Sequence, residues 1–181
     1  MLTLPLGTTI RQVLFLGAHS DDIEIGCGGT LAVLARSRPD VRVHAVVFSG
    51  HGVRAQETRA AIGRLAPACE LEVHEFRDGF FPTEWSVIKE RFEALKREHK
   101  PDLIFTHYQH DRHQDHRVVN ELTWNTFRNH TVLEYEIPKY DGDLGQPAVF
   151  LPLSAEIVEH KVATLLECFV SQNTKRWFTA D

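Results

Sequence analysis

The sequence has few cysteines, no long apolar run and no excess of positive charge. Its three cysteines, Cys27, Cys69 and Cys168, are odd in number, widely spaced and form no CxxC pair, so no disulfide framework is expected and the reducing cytoplasm is the predicted compartment. No apolar run approaches the ~20 residues that cross a bilayer. The N-terminal stretch MLTLPLGTTIRQ lacks the charged and apolar regions of a signal peptide. We therefore predict a soluble protein with no membrane span.

Two further absences exclude two classes of partner. Twenty Lys and Arg against 25 Asp and Glu give a net charge of −5, so the chain offers no basic surface for nucleic acid. The glycine-rich stretch GCGGTL lacks the third glycine of the dinucleotide fingerprint, and the second apolar run ends in VVFSG with no acidic residue. Both features argue against a dinucleotide cofactor.

Short apolar runs alternate along the chain with helix-length amphipathic segments. The 181 residues and 43% hydrophobic content suit one domain over residues 1–181. Strands are predicted at residues 13–18, 41–49, 71–76, 102–107 and 132–137, with a short apolar run at 148–151, and helices at 29–37, 54–65, 85–99, 115–128 and 155–170. This order predicts an α/β fold: a three-layer, Rossmann-like, mostly parallel sheet flanked by helices.

Two polar clusters follow the first and the fourth predicted strand. They read HSDD (residues 19–22) and HYQHDRHQDH (residues 107–116). Open parallel sheets bind ligands beyond the carboxyl ends of their strands, so both clusters are expected on one rim. His19, Asp22 and one histidine of the second cluster would form a two-histidine, one-carboxylate set with an open position. That is the composition of a hydrolytic zinc site, although non-heme Fe(II) uses a similar set.

Within the clusters, spacing suggests a division of roles. Asp21 lies between two candidate ligands and is free to act as a general base. His113 and His116 are three apart at a helix entry, so one could bind the metal while the other reaches the substrate. The glycines at 26, 28 and 29 would let the backbone fold closely under an ion. The alternative for HSDD is a helix N-cap, which also favours Ser and Asp.

These motifs carry a resemblance to a known family. GAHSDDIEIGCGG followed by HDRHQDH resembles the PIG-L/LmbE-like family of zinc-dependent N-deacetylases, whose usual signature is (A/P)HPDDE with a later HxDH. Ser20 stands where the family has proline, and Glu24 is displaced by one position from the family's acidic residue. The chain also ends at SQNTKRWFTAD, which predicts that the family's usual C-terminal end is missing.

The resemblance implies a role for each matching residue. It implies His19, Asp22 and His116 as zinc ligands and Asp21 as the base that takes a proton from the attacking water. His113 would polarise the amide oxygen or stabilise the oxyanion, and Asp115 would orient the His113 ring. Arg54 and His110 are the predicted substrate contacts, and a helix-start salt bridge is the alternative for Arg54.

The activity implied is removal of an acetyl group from an N-acetylated sugar or glycoconjugate, such as one built on N-acetylglucosamine. The implied cofactor is Zn²⁺, with Fe²⁺ or another divalent metal as alternatives. Two other functions stay open: hydrolysis of another ester, amide or phosphoester, and sugar binding without catalysis. An exposed strand edge or the tail could pair subunits into a homo-oligomer.

Overall fold

The protein is built on a five-stranded parallel sheet. The structure, a computed structural model, describes residues 2–3 and 9–179. Half of the N-terminal stretch assessed for a signal peptide, residues 1 and 4–8, lies outside these ranges. The sheet has the strand order β4-β3-β2-β5-β6, and every neighbouring pair is parallel. The strands are β1 (Leu2–Thr3), β2 (Gln12–His19), β3 (Arg42–Ser49), β4 (Glu70–Val73), β5 (Leu103–His107), β6 (Thr131–Tyr135) and β7 (Val149–Phe150).

Helices cover both faces of the sheet. They are α1 (Asp22–Ser37), α2 (Gly52–Leu65), α3 (Trp85–Glu98), α4 (Gln114–Thr126) and α5 (Ala155–Cys168), with short 3₁₀ turns at Phe81–Thr83 and Val170–Gln172. This arrangement confirms the predicted α/β fold. A separate two-stranded parallel ladder joins β1 to β7, so the apolar run at 148–151 contains a short strand. No helix in the described part of the chain is long and apolar enough to cross a membrane.

Burial on both faces explains why the central strand β2 is a continuous apolar run. Val13 and Phe15 belong to the core cluster that includes residues of α1 and α2, whereas Leu14 and Leu16 belong to the cluster on the α3 and α4 side. All four side chains are fully buried. A strand covered on both faces needs apolar residues at every position rather than at alternate ones.

Helix α1 begins seven residues earlier than the sequence predicts, at Asp22 instead of residue 29. The predicted role of the glycines beneath an ion is wrong, because they lie inside this helix. A Cβ atom on Gly26 would overlap the Tyr135 ring, and one on Gly29 would overlap a methyl group of Leu153. The glycines therefore allow α1 to approach β6 and the segment before α5. Their low helix propensity is the reason that the start of the helix was missed.

Two glycine substitutions test this packing. We expect Gly26→Ala to lower the free energy of unfolding by about 1–3 kcal/mol, because the new methyl group overlaps the Tyr135 ring. Gly63→Ala in α2 has open space around its Cβ position and should raise stability by roughly 0.5–1 kcal/mol. Urea denaturation measures both. Equal effects from the two substitutions would show that α1 does not need its close approach.

The parallel strands bring polar residues to one edge of the sheet. β2 ends at His19, β3 at Ser49 and β5 at His107. These carboxyl ends lie side by side because β2 pairs with both β3 and β5. The two polar clusters of the sequence are therefore neighbours in space.

Candidate metal centre

His19, Asp22 and His116 bring three donor atoms together beyond the end of β2. His19 Nδ1 lies 3.2 Å from His116 Nε2 and 3.4 Å from Asp22 Oδ2, and His116 Nε2 lies 3.5 Å from the same oxygen. A tetrahedral ion with bonds of about 2.0–2.2 Å holds its ligands about 3.3–3.6 Å apart. The three donor atoms therefore already have the spacing that a zinc-sized ion requires.

A very short connection produces this arrangement. His19 is the last residue of β2 and Asp22 is the first of α1, so only two residues separate strand from helix. The tight turn places Asp21 in the left-handed region, with φ 119°, which non-glycine residues seldom adopt. His116 comes from the first turn of α4. The backbone N–H of His19 also donates to Asp22 Oδ2 at 2.7 Å, which fixes the carboxylate.

Buried carboxylates hold the outer nitrogen of each histidine ring. His116 Nδ1 lies 2.8 Å from Asp111 Oδ2, and His19 Nε2 lies 3.0 Å from Asp115 Oδ2. Both carboxylates are almost completely buried. A ring that donates its outer N–H to a carboxylate presents its inner lone pair to a metal. The two histidines would therefore bind through opposite nitrogens, His19 through Nδ1 and His116 through Nε2.

The predicted role of Asp115 in orienting His113 is wrong. The Asp115 carboxylate accepts the backbone N–H groups of Gly79 at 2.6 Å and Phe81 at 3.1 Å, and its third partner is His19. His113 Nδ1 instead accepts the backbone N–H of Asp115 at 3.3 Å. The two side chains diverge because His113 is the extended N-cap of α4, whereas Asp115 is already helical.

Asp21 lies beside the three donor atoms and pairs with a cation. Its carboxylate is 2.8 Å from Arg54 Nη2, and the same guanidinium group donates to the carbonyl oxygen of Ser20. Burial, together with the charge of Asp22, raises the pKa of Asp21 to about 7, against the lowering effect of Arg54. Although Asp21 occupies the N-cap position of α1, its side chain makes no capping hydrogen bond. The N-cap interpretation of HSDD therefore does not describe what this side chain does.

The His113 ring is half-buried at the edge of the same site. Burial, together with the neighbouring rings of His19 and His116, lowers the pKa of His113, so the ring is neutral at pH 7. Since Nδ1 accepts a hydrogen bond, the ring proton is on Nε2. The neutral ring is thus available as a hydrogen-bond donor.

Three other groupings of donor atoms overlap the first. One joins His113 to His19 and His116, a second joins His19 and His113 to Asp78 and Asp115, and a third joins His107 to Asp22 and His116. His107 is fully buried, and its Nε2 already accepts the backbone N–H of Ala18 at 2.9 Å. That nitrogen has no lone pair left for an ion, which favours the set of His19, Asp22 and His116.

A cleft of about 370 Å³ opens over the donor atoms. Helix α2, the loop after β6 and the C-terminal segment supply its other walls. They contribute His51, Arg54, Lys139, Gln172, Lys175 and Trp177. A larger cavity of about 590 Å³, between β6 and residues 146–151, includes none of the three donor residues. The smaller cleft is therefore the candidate active site.

Of the two predicted substrate contacts, one lines the cleft and the other does not. Arg54 lines the cleft and also pairs with Glu57 at 3.1 Å, so the geometry accommodates both interpretations of this residue. His110 is exposed, packs edge-on against Tyr108 and is not part of the cleft lining, so the structure does not support its predicted contact with substrate. It lies in the turn between β5 and α4.

Sequence reasoning did not single out Asp111 and Lys139. Asp111 lies inside HDRHQDH, five residues before His116, so an acidic residue near a ligand histidine was the available signal. Lys139 Nζ lies 3.1 Å from Asp111 Oδ1 and 2.6 Å from Asp143 Oδ2. Burial opposes the charge of Asp111, but its hydrogen bond with His116 and its other partners hold the pKa of this carboxyl well below its usual range.

We expect Asp111→Asn to weaken zinc binding about 10–100-fold, because the His116 ring loses its anionic partner. Asp143→Asn is the matched control, since Asp143 pairs with the same Lys139 and contacts neither ligand histidine. Competition with a chromophoric chelator gives both dissociation constants. Equal weakening by the two substitutions would mean that Lys139, rather than the orientation of His116, determines the affinity.

Comparison with known proteins extends these observations. The sequence model described as PIG-L, GlcNAc-PI de-N-acetylase, matches residues 14–127, which contain both HSDD and HQDH. The chain is 29% identical over 167 residues to the "Uncharacterized deacetylase YaiS" of Escherichia coli (strain K12), covering 86% of this chain and 89% of that protein.

Two solved structures share the fold. N,N'-diacetylchitobiose deacetylase from Pyrococcus horikoshii superposes with a TM-score of 0.69 and 20% identity over 87% of this chain and 69% of that chain. GalB, the 4-carboxy-2-hydroxymuconate hydratase from Pseudomonas putida KT2440, superposes with a TM-score of 0.71 and 18% identity over 91% and 81%. One of these proteins is named as a deacetylase and the other as a hydratase, so the shared fold by itself does not define the reaction.

Proposed function

The chain belongs to the PIG-L family, and from this premise we propose that it is a metal-dependent hydrolase that removes the acetyl group from an N-acetylated sugar or glycoconjugate. The observation that carries the proposal is the triangle of donor atoms from His19, Asp22 and His116, with the Asp21 carboxylate beside it in an open cleft. Metal-dependent hydrolysis needs a base next to the metal site, whereas a protein that only binds sugar does not need one.

The three donor residues would hold one divalent ion, for which Zn²⁺ fits the mixed nitrogen and oxygen set. Such an ion, when bound, polarises a carbonyl group and lowers the pKa of water to about 7. Asp22 is suited to bind a cation: burial disfavours its charge, but His116, His107 and His19 hold the pKa of its carboxyl well below the usual range. Fe²⁺ remains the alternative metal for the same ligand set.

The protein side chains account for the proton transfers. Asp21 accepts a proton from the attacking water, whose oxygen forms a bond to the acetyl carbon. His113 donates its Nε2–H to the amide oxygen as negative charge develops there. Asp21 then gives the proton to the nitrogen as the carbon–nitrogen bond breaks, which releases acetate and a free amine. Arg54 keeps the Asp21 carboxylate in position throughout.

Acetate release tests this proposal. The zinc-loaded protein would be incubated with N-acetylglucosamine, N,N'-diacetylchitobiose and a larger N-acetylglucosamine glycoconjugate, and both products would be quantified. We expect acetate and free amine in equal amounts from at least one of them, and none after chelation. Hydrolysis of a model ester without amide cleavage would favour the alternative that the protein is a hydrolase of another bond. Sugar binding with no product would favour a non-catalytic relative.

A further inference from the structure

The C-terminal part of the described chain forms one wall of the cleft. It lies outside residues 14–127, the part that matches the family. Phe169 and Phe178 are buried in one apolar cluster with Ala61 and hold the segment at both ends. Between them, Ser171 donates its backbone N–H and its hydroxyl to Glu57, at 2.8 and 2.6 Å. This wall is therefore fixed to α2 rather than loosely attached.

Gln172 brings an unsatisfied polar group to this wall. Its side chain is 7% exposed and lines the cleft. One end of its amide donates to the Ser171 hydroxyl at 2.8 Å, and the other end is buried without a partner among the described residues. This holds whichever way the amide is turned, because Ser171 can serve only one end. A buried amide group without a partner is costly, so a ligand that completes it gains affinity.

Among the described residues, Lys175 is a cation of the cleft that forms no ion pair with a carboxylate. Arg54 pairs with Asp21, and Lys139 pairs with Asp143. By contrast, no carboxylate of the described residues lies within ion-pair distance of the Lys175 ammonium, which lies over the Trp177 ring, 5.4 Å from its centroid. The ammonium group is exposed at the cleft, where its charge helps to lower the pKa of Asp21, and no ion pair holds it away from a negatively charged ligand.

Trp177 contributes an apolar surface next to these polar groups. The indole ring is half-buried, lines the cleft and packs edge-on against Tyr140 and Phe178, at centroid distances of 6.1 and 5.6 Å. Two flanking aromatic rings restrict its movement. A flat indole held in this way is suited to pack against the C–H groups of a sugar ring.

We propose that Gln172, Lys175 and Trp177 form a recognition subsite for an N-acetylated sugar that carries an anionic substituent, a carboxylate or a phosphate. Trp177 packs against the sugar ring, Gln172 hydrogen-bonds one of its hydroxyl groups, and Lys175 pairs with the anion. The inference rests on the proposed deacetylase function and adds the substrate class. It also separates the two halves of the site: the matched region supplies the metal ligands, and the C-terminal segment supplies the selectivity.

Binding to an inactive protein tests the subsite directly. Zinc-loaded Asp21→Asn would be titrated by calorimetry with N-acetylglucosamine, N-acetylglucosamine 6-phosphate and N-acetylmuramate. We expect the two anionic sugars to bind at least about tenfold more tightly than the neutral one, as a charge-assisted contact provides. Adding Lys175→Gln should reduce that ratio to about one. Gln172→Leu should weaken all three sugars.

Lys96→Gln is the matched control, because Lys96 is an exposed lysine of α3 outside the cleft lining. It should leave the ratio unchanged. An anionic advantage that survives Lys175→Gln would mean that the anion binds the metal, or Arg54 after its loss of the Asp21 charge, and it would overturn the subsite. Equal binding of neutral and anionic sugars would overturn it as well. An advantage for only one of the two anions, lost in Lys175→Gln, supports the subsite and identifies which acidic group it accepts.

Acetate release by the unmodified protein, measured in parallel, separates this inference from the function on which it rests. Release without any charge preference in binding overturns the subsite and leaves the hydrolase in place. A charge preference that depends on Lys175, with no acetate from any sugar, supports the subsite and overturns the hydrolase. Because Lys175 is exposed, its substitution leaves the core intact, so misfolding does not confuse these outcomes.

Discussion

His19→Ala and His116→Ala should each yield a protein without bound zinc, whereas the unmodified chain should carry about one ion. Each substitution removes one corner of a triangle whose sides are 3.2, 3.4 and 3.5 Å. Two remaining ligands bind an ion far more weakly than three. Acetate release should fall at least about 10³-fold, since the ion contributes several kcal/mol to the transition state. Elemental analysis of the purified variants measures the first effect directly.

The control for this experiment is His110→Ala, which changes a histidine in the same sequence cluster. His110 is exposed and outside the cleft lining, so the variant should keep its zinc and its activity. If His110→Ala loses zinc as well, the metal is bound by exposed histidines in general. If zinc stays in His19→Ala and His116→Ala, the triangle is not the metal site.

Asp21→Asn should lower acetate release by about 10²–10⁴-fold while the protein keeps its zinc, which is the usual loss when a general base is removed. Asparagine has the shape of aspartate and can still contact Arg54, but it cannot take up a proton at neutral pH. The measurements are turnover rate and zinc content on the same preparation. A loss of zinc equal to the loss of rate would make Asp21 a structural support for the metal rather than a base.

Asp141→Asn provides the comparison for a carboxylate of similar chemistry on the nearby loop. Asp141 pairs with Lys139 at 3.8 Å and is not part of the cleft lining. Its substitution should change the rate less than about twofold, as is usual for an exposed ion pair. A rate for Asp21→Asn close to that of Asp141→Asn would leave the water without an identified base and would favour the non-catalytic alternative.

Local patterns were sufficient to predict the fold and the meeting of the two polar clusters at one edge of the sheet. The central strands β2 and β5 are short apolar runs, and the two polar clusters begin at their last residues; the two strands are neighbours in the sheet. A parallel sheet gathers such strand ends at one edge, so residues 97 positions apart, His19 and His116, could be expected to meet.

The predictions that failed depend on side-chain directions and tertiary packing, which a short stretch of sequence does not determine. The family resemblance implied that Asp115 orients His113, yet the N-cap geometry of α4 turns the carboxylate towards His19. The start of α1 was missed because glycines have a low helix propensity. Their role in packing is evident only from the close approach of Tyr135. Gln172 and Trp177 reach the cleft because Phe169 and Phe178 bury the ends of their segment, a tertiary effect without a motif.

The backbone of Asp21 has a consequence for how this protein can change. At φ 119° the residue adopts a conformation that suits glycine, and a non-glycine side chain held there costs about 1–3 kcal/mol. Its buried carboxylate adds a further cost, which the ion pair with Arg54 offsets. Selection for thermal robustness alone would therefore favour glycine at this position, and only selection for turnover would retain aspartate. Lineages or laboratory variants that have lost the activity should drift first at residue 21, while the metal ligands and the fold persist.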